Sequence, residues 1–149
     1  MSRPPWLDVD EPEHIPRIRG MFAERLPERL AAVGDEWRAI MEGAWSADGL
    51  KGPFRVAHDI AGTAEVLGGA RLGQAASALT EAFRPYCPPR GSDQVAPFAP
   101  SPAQFEAMAP LVVEFMAAGR EYLRWVEQEA AHPSSGLRKR RKNPFRKDP

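Results

Sequence analysis

One cysteine, Cys87, in 149 residues rules out an internal disulfide. Three scattered histidines, His14, His58 and His132, give no spacing that suits zinc. No run approaches the ~20 consecutive apolar residues of a membrane span, and Met1 to Trp6 lacks the apolar stretch of a secretory signal. The chain reads as cytoplasmic and soluble. There is no phosphate-cradling loop of the GxxxxGK type, no acidic cluster resembling a magnesium site, and no paired-carboxylate or Ser/His/Asp arrangement. A self-sufficient enzyme is therefore not the expectation. Alternation of apolar and polar residues is nowhere sustained, which argues against a sheet.

What is present is ordinary for one globular domain: 43% hydrophobic and 27% charged residues. The zero net charge is unevenly spread. Residues 137–149 hold seven basic residues and one acid, leaving 13 basic and 19 acidic groups elsewhere, a net of −6. An acidic body thus carries a basic tail. The tail reads as a solvated end rather than a grip on nucleic acid or an anionic membrane surface.

Helical spacing dominates the middle of the chain. Ile15, Ile18, Phe22, Leu26, Leu30, Val33, Trp37, Ile40 and Ala44 recur at steps of three and four. Pro27 and Gly34-Asp35 interrupt them, so one long bent helix and two consecutive helices both fit. Pro53 opens a second helix, from about Phe54 to Leu67, and Gly68-Gly69 closes it. A third, near residues 70–86, carries Leu72, Ala76, Leu79, Phe83 and Tyr86. Proline-rich residues 87–100 form a connector, in which Cys87 reads as an unreactive linker residue. Ser101-Pro102 starts a fourth helix, striped by Phe105, Met108, Val112, Phe115, Gly119, Tyr122 and Val126, with Pro110 expected to bend it.

The predicted architecture is all-α: an antiparallel four-helix bundle over residues 14–131, with a loose N-terminal arm at 1–13 and a disordered basic tail at 132–149. Trp37 and Trp125 fall on or beside core stripes, and Trp6 lies in the arm. Four helices can close one core, so a monomer is expected.

The second helix carries the informative residue. With Val56 at 0° and about 100° per residue, Ile60, Thr63 and Leu67 fall within about 40° of it, a narrow stripe expected to face the core. His58 falls near 200°, pointing towards water. Its neighbours three and four residues away are Phe54, Arg55, Ala61 and Gly62, with Glu65 further along. Ala61 and Gly62 leave the imidazole unshielded, although Gly62 costs the helix roughly 1 kcal/mol against Ala. Phe54 becomes a partly exposed aromatic, as in a docking patch. A lone helical histidine is more often an ordinary surface residue, and this geometry does not name a chemistry.

The string from Ala57 to Gly68 does suggest one. His58, Ile60, Gly62, Thr63, Ala64, Leu67 and Gly68 are in register with a His, any residue, an aliphatic, commonly Lys, then Gly and small residues, ending in an apolar residue and Gly. This resembles the signature of histidine-containing phosphotransfer domains of two-component phosphorelays, and the likeness spans roughly residues 15–86. It implies that His58 accepts a phosphoryl group from a receiver-domain aspartate and passes it to another receiver. It implies partners among response-regulator receivers or a hybrid histidine kinase, with Mg²⁺ and the catalytic lysine on the partner and no cofactor here. Imidazole is a good nucleophile near pH 7, with an ordinary pKa of about 6.5. Phe54, Arg55, Ala61, Gly62, Glu65 and Arg84 become the expected docking residues. Ala61 departs from the pattern by standing where the family commonly has Lys. Arg55, and Arg84 on the third helix, are the candidates to offset phosphoryl charge, though an ordinary solvated Arg84 is the plainer reading. A receiver-binding module of the same fold with an idle His58 is the alternative.

Overall fold

The computed structural model describes residues 14–45, 48–87 and 99–131. The expected N-terminal arm with Trp6, most of the proline-rich connector and the basic tail lie outside these residues. Within them the chain forms four α-helices and no strand: α1 (His14–Met41), α2 (Lys51–Ala64), α3 (Ala70–Phe83) and α4 (Pro102–Ala131). A short 3₁₀ turn, Arg84–Tyr86, extends α3. Each helix packs on its chain neighbours, and α4 closes the ring against α1. Among the described residues no helix is long and apolar enough to cross a membrane.

Of the two readings open for residues 15–44, the continuous helix is the one formed. α1 runs through Pro27 unbroken, with Pro27 on its exposed side. Gly34 does not interrupt it; it faces Met116 of α4, which a Cβ there would meet at an ordinary contact distance of 3.4 Å. Asp35 starts no new helix and instead faces Arg38 at 3.9 Å. α4 likewise runs through Pro110. Its start is a reciprocal capping box: the Gln104 N–H donates to the Ser101 hydroxyl at 3.2 Å, and the Ser101 N–H donates to the Gln104 side chain at 2.7 Å.

The core draws on every helix. Leu26, Leu30 and Val33 of α1, Ile60 of α2, Leu72, Leu79 and Phe83 of α3, and Phe115 of α4 are buried, together with Leu50 just before α2. Each such large apolar side chain contributes about 1.5–3 kcal/mol over an exposed one. Aromatic clusters lock both ends. Trp37 stacks on Phe83, and Phe105 turns its ring across both Trp37 and Trp45. At the other end Phe22 meets Tyr122, which meets Trp125, with the Arg19 guanidinium 4.7 Å over the Trp125 ring. Gly119 lets α1 and α4 approach: a Cβ there would stand 2.6 Å from Leu30.

Candidate functional site

α2 is positioned by its buried face and by its C-terminal stop. The inward residues are Pro53, Ala57, Ile60 and Ala64, followed by Leu67. This corrects the expected stripe. Ile60 and Leu67 are buried as the spacing predicts, but Thr63 is exposed and Val56 only half-buried. The Thr63 hydroxyl donates back to the Asp59 carbonyl at 3.1 Å, satisfying itself on the helix surface. Ala57 and Ala64, with 0% exposure, take the inward places. Their small side chains let α2 and α3 pack closely.

The stop has the Schellman pattern. Gly68 adopts φ +88°, the left-handed region where Gly carries no Cβ penalty. The Gly69 N–H donates to the Ala64 carbonyl at 2.7 Å and the Gly68 N–H to that of Glu65 at 3.3 Å. The chain then reverses into α3. Gly73 of α3 lies against the backbone of Glu65, and further along Arg84 lies against Phe54. The two helices are thus antiparallel, and His58 sits between these two contacts, towards the C-terminal end of α3.

On the outward side of α2, Arg55, His58, Asp59, Gly62 and Glu65 are exposed, with Phe54 and Ala61 half-buried at its edge. The core face is rotated from the expected stripe, but not far enough to turn His58 inward. The His58 ring stands nearly perpendicular to Phe54, at 87°, with centroids 6.0 Å apart. The Arg84 guanidinium lies 5.4 Å from the centre of the same Phe54 ring. Arg84 also donates to the Glu81 carboxylate at 3.2 Å. His58, Phe54 and Arg84 therefore form one cluster across two elements. A Cβ on Gly62 would meet nothing within 4 Å, so among the described residues no packing demand accounts for the glycine. Glu65 lies two turns from His58, alongside the α2–α3 contact rather than beside the imidazole.

Val66 was not among the expected site residues. It is 72% exposed, a turn beyond Gly62. On the wheel that puts Val56 at 0° it falls near 280°, on the flank between the expected stripe and His58, so spacing alone does not mark it. Cys87 is half-buried at the end of the 3₁₀ turn. Burial pushes its thiol up to about 11, against a smaller opposing pull from Arg84, which fits an unreactive thiol. Among the described residues, no group of three or more His, Cys, Asp or Glu side chains is placed to hold a metal ion. A surface pocket lined by Gly68, Gly69, Arg71, Tyr122, Arg124 and Trp125 shares no residue with the His58 cluster.

Chemically, the cluster offers an accessible nitrogen nucleophile on a rigid helix, an aromatic wall, a cation across that wall, and open space one turn along. In comparison with known proteins, the chain matches no family model, no curated protein and no solved structure.

Proposed function

We propose that this chain is a histidine phosphocarrier, in which His58 accepts a phosphoryl group from the aspartyl phosphate of a receiver domain and returns it to the aspartate of another. The observation that carries this reading is the exposed His58 imidazole on a packed helix, with Gly62 opening onto empty space one turn away. The resemblance of the Ala57–Gly68 string to phosphotransfer domains supplies the chemistry.

An unprotonated ring nitrogen attacks phosphorus as the P–O bond to the aspartate breaks. The electron pair stays with the carboxylate, an N–P bond forms, and the imidazolium charge is relieved when the other N–H gives its proton to water. The reverse sequence discharges the carrier. Such a transfer needs in-line positioning and charge neutralisation. The receiver brings Mg²⁺ and a lysine; this chain brings a fixed nucleophile and a docking face. On this reading it acts in the cytoplasm as a monomer, with response-regulator receivers or a hybrid histidine kinase as partners.

The test is transfer of labelled phosphoryl from a panel of phosphorylated receivers. The expected product is an acid-labile, alkali-stable label on the wild type that is absent from His58→Gln. Equal labelling of the variant, or no transfer from any receiver, overturns the proposal. Ala61, where the family commonly carries Lys, favours a second reading: a receiver-binding module with His58 idle. That reading requires stable complexes with a receiver and no label under any condition.

A further inference from the structure

The phosphocarrier reading leaves a dianionic group on His58 with no lysine at Ala61 to meet it. We propose that Arg84 forms a phosphoryl-binding subsite beside His58, reached across Phe54 from the neighbouring element. This inference rests on the phosphocarrier reading and deepens it by naming the group that receives the phosphoryl oxygens.

The geometry is specific. Phe54 is a shared wall, with the imidazole 6.0 Å from its centre and the Arg84 guanidinium 5.4 Å from it. A cation held on an aromatic ring has already given up part of its freedom, so less is lost when it engages an anion. A guanidinium presents paired N–H groups that match phosphate oxygens in a way an ammonium does not.

Arg55 is the competing cation, one turn from His58 on α2 and exposed. Among the described residues it has no ion pair or ring contact, so it lacks the placement that Arg84 has. Among the described residues Arg84 pairs with the exposed Glu81, at 3.2 Å. An exposed pair of this kind is weak, and a phosphoryl dianion is a stronger competitor for the guanidinium. Glu81 therefore holds Arg84 in reserve while His58 is unmodified and yields it when the phosphoryl arrives.

The experiment uses phosphoramidate, a small-molecule phosphoryl donor, on the full chain. Uptake on His58 is followed by mass spectrometry, and the protonation of the bound phosphoryl by phosphorus NMR. The charged groups nearest it are Arg55 and Asp59 on α2 and Glu81 and Arg84 across from it, with Glu65 two turns away on α2. Arg84→Ala is expected to slow uptake about two- to fivefold, the range for an exposed charge pair, and to raise the pKa of the phosphoryl group. Arg84→Lys restores part of both, and Glu81→Gln shifts both the opposite way. Arg120→Ala on α4, a matched loss of exposed charge, changes neither. Unchanged uptake and phosphoryl pKa in Arg84→Ala overturn the subsite, as does a loss seen in Arg55→Ala instead. Failure of the wild type to take phosphoryl on His58 overturns the phosphocarrier reading and the subsite together. Normal wild-type labelling with an indifferent Arg84→Ala overturns the subsite alone.

Discussion

The Tyr122 hydroxyl donates a hydrogen bond to the Leu67 carbonyl oxygen at 2.9 Å, across 55 residues of chain. It ties the middle of α4 to the stop that ends the His58 helix. Gly69 is packed under the same ring, where a Cβ would come within 2.8 Å. The end of α2 is thereby held from three sides: by its Schellman bonds, by Tyr122, and by the turn into α3.

Removing that tie is the first prediction. Tyr122→Phe keeps the ring and its packing but leaves the buried Leu67 carbonyl without its donor. Such an orphaned acceptor costs about 1–3 kcal/mol. Chemical denaturation should show a lower midpoint with an unchanged slope. Stability equal to wild type would mean that water replaces the hydroxyl and the tie is not a constraint on α2.

Two helical glycines, the exposed Gly62 and the buried Gly119, should respond oppositely to the same change. Gly62→Ala places a methyl in open space and gains up to about 1 kcal/mol of helix propensity. Gly119→Ala drives a methyl against buried Leu30 and should lose about 1–3 kcal/mol to overpacking, partly offset by propensity. Thermal unfolding of the two variants should move in opposite directions. On the phosphocarrier reading, Gly62→Ala should also slow transfer from a receiver despite its greater stability. A stabilised variant with full transfer rate would remove Gly62 from the docking face.

Two carboxylates should give pH dependences of opposite sign. Glu36 of α1 sits beside Gly52 in the first turn of α2. Partial burial, with a further push from Asp48, raises its carboxyl above the ordinary 4.5. A raised carboxyl disfavours the ionised form in the fold, so its contribution is fully present below 4.5 and lost as pH rises through the folded value. Glu36→Gln should therefore raise the melting temperature at pH 7 and leave it unchanged near pH 3. Glu114 is lowered, chiefly by its hydrogen bond from Arg71, and Arg71 reaches Glu121 as well. Its contribution is present above 4.5 and lost as pH falls through the folded value. Glu114→Gln should lower the melting temperature at pH 7, with the difference fading in acid. The same sign for both variants would contradict these placements.

Much of this architecture was legible because large apolar residues at helical spacing leave little choice of face. Leu72, Ala76, Leu79, Phe83 and Tyr86 share one stripe at helical spacing and are all buried. The α2 stripe is less legible because its inward residues are small. Ala57 and Ala64 carry a weak apolar signal, yet close approach of α3 makes them the right residues for that face. Thr63 and Val56 carried a stronger pattern but lie towards solvent and at the edge. His58 remained legible because it lies far from both the expected and the observed core face. The Gly68-Gly69 reversal pointed to the stretch of α3 that runs beside His58, and so to Arg84. That Arg84 would rest on Phe54, and Glu36 beside Gly52, is set by how whole helices sit against one another. Spacing within one helix does not carry that information.

The Arg84–Phe54 contact can be tested without any phosphoryl donor. A double-mutant cycle with Phe54→Leu and Arg84→Met keeps apolar volume while removing the ring and the charge. The coupling expected for an exposed cation over an aromatic face is about 0.5–1 kcal/mol. The cycle should be measured in low and high salt. Attraction to a ring quadrupole acts at contact, whereas the Arg84–Glu81 pair is exposed and open to screening by salt. Coupling that persists in salt assigns the placement of Arg84 to Phe54. Coupling near zero at both salt concentrations leaves Glu81 as the group that places Arg84, and Phe54 would then serve as a docking surface only.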